Sequence, residues 1–218
     1  MNWEKIERIG IALSFIALAA LGCLVVSPPW TEADADEGLF TVILILEHYD
    51  CETGVSHRYV KTGDLLLKNF AILIADSFRG AAGKIKVTNT AGNQITPYWY
   101  YGGGVDYLAY QSGGAKIYIG SGTGAPSPSD YKLQSTIKSK VIGSHGLSKS
   151  GSSLNITVST TFTFDSSYTI TEAGLSVDVY HGDNEHSQVL IARDTFAAIE
   201  VSPGDVLTVT YTFKFNQG

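Results

Sequence analysis

VLTVTYTFKF, residues 206–215, alternates apolar and polar side chains from Leu207 onward. The odd-numbered positions are Leu, Val, Tyr, Phe and Phe, whereas the even positions from Thr208 to Lys214 are polar. Successive side chains of a β-strand point to opposite faces, and β-branched and aromatic residues suit a pleated surface. This stretch therefore predicts a half-buried β-strand.

The same alternation recurs upstream in LNITVSTTFTF, residues 154–164. Shorter strand candidates, separated by Gly, Ser and Asp clusters, lie at residues 55–61, 84–88, 94–101, 105–110, 116–120, 135–143, 175–179 and 188–194. Many short strands at this spacing are typical of β-sandwiches. The predicted fold class is mainly β, a jelly-roll-like β-sandwich with one short helix.

The helix is predicted over residues 64–79, DLLLKNFAILIADSFR, where the apolar spacing is helical. Asp64 is a suitable N-cap residue, and Gly80 is a suitable stop. We expect the helix to cover an open end of the sandwich. Four residues are expected to face the sheet: Leu66, Phe70, Leu73 and Phe78. Four others are expected to face water: Lys68, Asn69, Asp76 and Arg79.

The amino terminus differs from the rest of the chain. Residues 9–26 are an apolar stretch of 18 residues, preceded by Lys5 and Arg8 and followed by an acidic segment. This charge asymmetry predicts that the body of the chain lies on the external side of the membrane. The predicted organisation is a hydrophobic helix at 1–26 serving as signal peptide or membrane anchor, a linker at 27–38, and a β-sandwich domain at 39–218.

Two other processing routes remain open at this end of the chain. Cys23 follows Leu21-Gly22, which loosely resembles a lipoprotein cleavage site, and Arg8-Ile9-Gly10 resembles a type IV prepilin junction. On each of these routes the chain contacts the membrane, either during export or through a retained anchor. The predicted location is therefore extracellular or on the cell surface.

Composition excludes some partners and some sources of stability. Lys and Arg number 15 against 21 for Asp and Glu, a net charge of −6, so the chain has no basic footprint for nucleic acid. Its 12 Tyr, 9 Phe and 3 Trp are enough for a substantial core. With only two cysteines, one of them inside the apolar stretch, stability must come from packing rather than from disulfides.

The stretch LFTVILIL, residues 39–46, differs from the other strands because it is apolar at odd and even positions alike. Both of its faces therefore need burial. Either the helix covers its outer face within the same chain, or the strand inserts into a neighbouring subunit. The donor-strand candidate spans residues 39–49, and its proposed interaction residues are Leu39, Phe40, Val42, Ile43, Leu44, Ile45 and Leu46.

Candidate chemistry in the sequence is sparse. The loop at 181–186 holds four weak candidate metal ligands, His181, Asp183, Glu185 and His186, but a polar hairpin loop is the favoured interpretation. Gly120-Ser121-Gly122-Thr123-Gly124 lacks the Lys and the helix of a phosphate-binding loop, so we interpret it as a glycine-rich turn. We expect no catalytic residues, no metal and no cofactor, and hence a non-enzymatic protein.

Two further features concern glycans. Asn155-Ile156-Thr157 is a consensus sequence for N-glycosylation, which makes Asn155 a candidate attachment site. An aromatic cluster could stack on sugar rings or serve as packing, and it consists of Tyr98, Trp99, Tyr100, Tyr101, Tyr107 and Tyr110.

Several motifs in order resemble a β-rich structural domain of bacteriophage tail and fibre proteins. They are DLLLKNFAILIADSF (64–78), IYIGSGTGAPSPSDYKLQSTI (117–137), ITEAGLSV (170–177), QVLIARDTF (188–196) and VSPGDVLTVTYTFKF (201–215). The resemblance implies an assembly or attachment module without catalysis. The chain departs from it in having an amino terminus suited to export and in carrying Gln134, Ser135 and Thr136 after Leu133.

Export combined with a two-faced strand is instead similar, in architecture, to archaeal extracellular filament subunits that exchange an amino-terminal strand. The leading hypothesis is a structural subunit of a pilus-like homopolymer, assembled head-to-tail by donor-strand insertion. The alternative is a membrane-anchored adhesin or a viral or tail-fibre-like attachment protein. A secreted metal-dependent hydrolase is a third hypothesis, which depends on the 181–186 loop alone.

Overall fold

The computed structural model describes residues 40–62, 66–79, 86–97, 114–181 and 185–216, with the side chains of 76–79 excluded. This part of the chain is mainly β with one short helix, as predicted. The strands are β1 (Phe40–Tyr49), β2 (Ser56–Thr62), β3 (Val87–Thr88), β4 (Gln94–Ile95), β5 (Lys116–Gly120), β6 (Thr136–Val141), β7 (Ser144–Ser150), β8 (Ser153–Thr163), β9 (Tyr168–Tyr180), β10 (His186–Val201) and β11 (Val206–Asn216). The helix, α1, spans Lys68–Arg79.

The strands form two larger sheets and a small ribbon. Sheet A has the order β2-β1-β11-β8-β7, sheet B has the order β10-β9-β5-β6, and β3 pairs with β4 in the ribbon. All the pairings between these strands are antiparallel. Side chains from both larger sheets belong to one hydrophobic cluster, which includes Leu44, Val158 and Tyr211 from sheet A and Ile117, Leu175 and Ile199 from sheet B.

The alternation of residues 206–215 is reproduced by their burial. Leu207, Val209, Tyr211 and Phe213 are buried in the core, while the intervening residues are half-buried on the other face. β8 shows the same pattern from Val158 onward. The period-two prediction is therefore confirmed for residues 207–214 of β11 and 158–163 of β8. Phe215 and Leu154, which the same alternation places on the core face, are 37% and 38% exposed.

The helix begins at Lys68, four residues later than predicted, and ends at Arg79 as predicted. Leu66, Phe70 and Leu73 pack against the core, in agreement with the predicted helix face. The prediction that Asn69 faces water is wrong. Asn69 is buried because its amide donates to Thr88 O at 3.0 Å and to Leu190 O at 3.2 Å, and its Oδ1 accepts from Thr88 N at 3.2 Å.

Other differences concern the strands. β7 was not predicted, because SHGLSKS is polar, and all of its seven residues are exposed. β9 and β10 are longer than predicted, with 13 and 16 residues. The predicted hydrophobic helix at 1–26, the linker, Leu39 and the strand at 105–110 lie outside the described residues. Of the part that is described, no helix has the length and apolar character needed to cross a membrane.

Replacing Asn69 with Ala tests how α1 is held. The change removes three hydrogen bonds that join α1 to β3 and β10, so we expect a loss of about 1–3 kcal/mol in the free energy of unfolding. Denaturant titration measures this loss, with the exposed neighbour substitution Lys68→Ala as the matched control. Equal effects of the two substitutions would show that Asn69 does not anchor the helix.

Candidate functional site

The donor-strand candidate lies inside sheet A of its own chain. β1 pairs with β11 over its full length, from Phe40↔Phe215 to Tyr49↔Val206. Its other edge pairs with β2, from Ile43↔Thr62 to Tyr49↔Ser56. β1 therefore occupies an interior position between the last strand of the fold and its own hairpin partner.

The two faces of β1 differ in burial. Val42, Leu44 and Leu46 are 3%, 0% and 2% exposed and belong to the core. Ile43 and Ile45 lie on the outer face and are half-buried. The apolar stretch of the sequence therefore has one fully buried face and one half-buried face.

Of the two alternatives for the outer face of β1, the one in which the helix covers it within the same chain is wrong. α1 packs against β10 and β3, and its Phe70 ring stacks at 6.0 and 6.1 Å on the rings of Phe40 and Phe213. Phe213 is a core residue, and Phe40 has the same strand parity as Val42. The helix therefore packs on the core side of β1, the side of Val42, and not on its outer face.

A polar cluster fastens the hairpin to the turn before β11. Asp205, 3% exposed, is joined to His48 Nε2 at 3.0 Å and accepts hydrogen bonds from the amides of Cys51 and Ser202, both at 2.9 Å. Burial alone would raise the pKa of Asp205, but these hydrogen bonds together lower it well below the ordinary value. We call Asp205, His48, Cys51 and Ser202 the hairpin clamp.

Cys51 contributes its backbone amide to the clamp rather than a reactive thiol. Its exposed side chain donates to Pro203 O at 3.5 Å. Desolvation and the nearby Asp205 carboxylate raise the pKa of the thiol. Because the thiolate is the nucleophilic form, this environment does not activate Cys51.

A second polar contact joins β2 to sheet B. Lys61 Nζ donates to Thr195 O at 3.2 Å and lies 3.6 Å from Asp194 Oδ1. The Asp194 side chain is fully buried, so the ammonium group faces a carboxylate that has little access to water. The hairpin is thus held at both strands, by the clamp on β1 and by Lys61 on β2.

Three of the five motifs of the phage-like resemblance, at 117–137, 170–177 and 188–196, contribute to a different place, a buried ion network on the outer side of sheet B. Glu172 of β9 is 0% exposed and accepts two hydrogen bonds from Arg193 of β10, at 3.0 and 2.9 Å. Arg193 also donates to Asp130 Oδ2 at 2.7 Å and to Gly124 O at 3.1 Å. The sequence analysis did not identify this network. The signal that could have indicated it is a charged residue, Glu172 or Arg193, within each of two otherwise largely apolar strands.

The glycine-rich turn wraps around Glu172. The Glu172 carboxylate accepts hydrogen bonds from Gly122 N at 3.0 Å, Ser135 N at 2.8 Å and Gln134 N at 3.1 Å. A Cβ atom at Gly122 would lie 2.5 Å from Glu172 Oε1, so the position requires glycine. Within the turn, Gly122 N and Gly124 N donate to the side chains of Glu172 and Gln134, and Ser121 N donates to Ser135 O. These contacts agree with the prediction of a structural turn.

The candidate metal ligands do not converge. His181 Nε2 is 2.6 Å from Ser187 Oγ, whereas His186 Nδ1 is 2.9 Å from Asp178 Oδ2. Glu185 Oε2 is 3.8 Å from His181 Nδ1, and Asp183 lies outside the described residues. No group of three or more His, Cys, Asp or Glu residues suited to a metal ion occurs in the described part of the chain.

The glycan-related residues are placed only in part. Asn155 is half-buried on the outer face of sheet A, opposite Lys214 on one side and Ser148 on the other. The aromatic residues at 98–101, 107 and 110 lie outside the described residues.

The chain matches no protein-family model, and comparisons with curated proteins and with solved structures found no similar protein. The resemblances stated from the sequence therefore stay predictions.

Substitution of Asp205 tests the clamp through pH. A carboxylate with a lowered folded pKa stabilises the protein fully above its unfolded pKa of about 3.9, and this contribution is lost as the pH falls below it. We expect Asp205→Asn to unfold more easily than wild type at neutral pH. The difference between the two proteins in denaturant midpoint should narrow as the pH falls toward about 2. A difference that is independent of pH would contradict the role of the charge.

Substitution of Arg193 tests the buried network. Arg193→Met leaves the carboxylate of Glu172 buried without its cation, for which we expect a loss of about 3–5 kcal/mol in unfolding free energy. The matched control is Arg58→Met, which removes an exposed pair with Glu47 at 3.6 Å and should cost about 0–1 kcal/mol. Similar losses in both variants, measured by denaturant titration, would rule out a special contribution of the network.

Proposed function

We propose that the chain is a non-enzymatic, exported subunit of an extracellular, pilus-like filament. In this proposal the described domain is a jelly-roll-like β-sandwich, and subunits join head-to-tail when an amino-terminal strand of one enters the sheet of the next. The observation that carries the proposal is the place of β1, the first described strand, which completes the core by pairing with the last strand, β11. A strand with the same sequence from another subunit can form the same pairs.

The exchanged unit in this proposal is the hairpin of residues 40–62, not β1 alone. β2 lies at the edge of sheet A and has β1 as its neighbour. If β1 moved without it, β2 would lose its sheet, and the turn held by hydrogen bonds from Glu52 N and Thr53 N to Asp50 Oδ1 would open. Moving both strands preserves these contacts and their energy.

The connection that would open lies between Thr62 and Leu66. Thr62 pairs with Ile43 in sheet A, whereas Leu66 forms a bridge with Ala192 of β10 in sheet B. Only four Cα steps separate these residues, which span at most about 14 Å, and packed sheets lie about 10 Å apart. The reach of the connection is therefore only slightly greater than the usual spacing between packed sheets.

The contacts that hold the hairpin would become contacts between subunits. The pair of His48 with Asp205 and the pair of Lys61 with Asp194 both join the hairpin to the remainder of the domain. Together with Val42, Leu44 and Leu46 they would supply an apolar interface with polar ends. The apolar segment at 9–26, preceded by Lys5 and Arg8, supports an exported, cell-surface location for such a polymer.

The alternative function is a membrane-anchored adhesin or a viral or tail-fibre-like attachment protein. Such a protein keeps its hairpin on its own sheet and acts through its exposed surfaces. The two functions therefore differ in whether the oligomeric state depends on the connection between Thr62 and Leu66.

The length of this connection provides the test. Substituting Val42 or Leu44 with Asp would not, because both side chains are in the core whichever chain supplies them. Deletion of Gly63 and Asp64 leaves two Cα steps, about 7 Å, too short to return the hairpin to its own sheet. We expect this variant to form filaments more readily than wild type, and a flexible insertion of about six residues to favour monomers.

Light scattering and electron microscopy of the full chain in detergent measure both effects. The matched control inserts the same flexible residues between Gly151 and Ser152, in the turn joining β7 to β8, and should assemble as wild type does. A wild type and both connection variants that remain monomeric at all concentrations would overturn the proposal.

A further inference from the structure

A polar groove separates the ribbon from the end of sheet B where β9 gives way to β10. Its volume is about 510 Å³, within the range of about 300–1,000 Å³ found for ligand sites. The ribbon contributes Asn89, Asn93 and Gln94, and the end of sheet B contributes His181, Glu185 and Ser187. The groove is shallow and largely open to solvent, which suits one unit of a longer chain.

Its polar groups are held in place by the fold. Asn89 is 7% exposed, and its Oδ1 accepts from the amides of Ala91 at 3.1 Å and Asn93 at 2.8 Å. Its Nδ2 donates to Ser187 Oγ at 3.3 Å, and the same hydroxyl lies 2.6 Å from His181 Nε2. A network fixed before binding needs little ordering when a ligand arrives.

The ribbon that carries one wall is itself attached to sheet B. Thr90 N donates to Gln188 O at 2.9 Å, and Ile95, 7% exposed, packs into the main core beneath the groove. The ribbon wall of the groove is therefore joined to sheet B both by a backbone hydrogen bond and by core packing.

The side chains lining the groove indicate the class of ligand. Amides and hydroxyls both donate and accept hydrogen bonds, as sugar hydroxyls do. None of the described residues that line the groove is Lys or Arg, and Glu185 adds a carboxylate with 72% of its side chain exposed. This arrangement disfavours phosphate, sulfate and carboxylate ligands. We infer that the groove binds a neutral sugar unit of a glycan.

A glycan array of neutral and anionic oligosaccharides, followed by calorimetric titration of the neutral glycan that binds, tests this inference. The full chain is kept in solution by a detergent without a sugar headgroup, since residues 9–26 are apolar. We expect neutral glycans to bind, and Asn93→Ala with Glu185→Ala to weaken binding at least about tenfold. Both side chains are exposed, so the double variant should unfold at the temperature of wild type, and Asn93→Ala alone gives the same readout if it does not.

The matched control is Ser144→Ala, on the exposed edge strand β7, which should leave glycan affinity unchanged. Three results would overturn the inference. They are an absence of neutral glycan binding at millimolar concentration, binding of anionic glycans alone, and neutral binding that the groove variants leave intact. Filament formation is measured separately, so failure of one proposal does not imply failure of the other.

Discussion

The pairing of β1 with β11 is the contact on which the rest of the domain depends. It joins the first and last described strands, and its central pair, Leu44 with Tyr211, is fully buried on both sides. Without this ladder, sheet A separates into the hairpin β1-β2 and the group β11-β8-β7, and the core cluster opens between them. Because these strands are far apart in sequence, forming the contact between them costs loop-closure entropy. Sheet A can be completed only when β11, the last described strand, is available.

The two larger sheets are covered in different ways. On sheet B, the loop between β5 and β6 covers the outer face with Leu133, which packs with Leu67 and Leu190, and with the Glu172–Arg193 network beside it. The outer face of sheet A carries hydroxyl pairs instead, Thr157 with Thr212 and Thr161 with Thr208. Sheet A therefore presents its outer face and two edge strands to solvent, while β9 is buried on both faces.

This difference explains what the sequence could predict. β8 and β11 have one core face and one polar face, so the alternation of their residues identified them as strands. Every residue of β7 is exposed, so its sequence has no apolar alternation by which to predict it. Asn69 was assigned to water because helical periodicity does not reveal the backbone groups of Thr88 and Leu190 that it meets. The hairpin clamp was missed for a related reason. Its members, His48 and Asp205, are 157 residues apart, and only the tertiary fold brings them together.

The clamp also supplies something that the apolar strand lacks, namely a unique register. The side-chain period of a strand is two, so a shift of two residues keeps each face toward the same side of the sheet. Val42, Leu44 and Leu46 are similar in size, so the shifted strand would place similar apolar side chains in the core. Such a shift would move His48 about 7 Å from Asp205 and leave that buried carboxylate with fewer partners. If the hairpin moves as a unit, Lys61 leaves Asp194 at the same time. The apolar residues therefore provide most of the attraction between hairpin and sheet, while two polar pairs at its ends, His48 with Asp205 and Lys61 with Asp194, specify the single register in which that attraction is used.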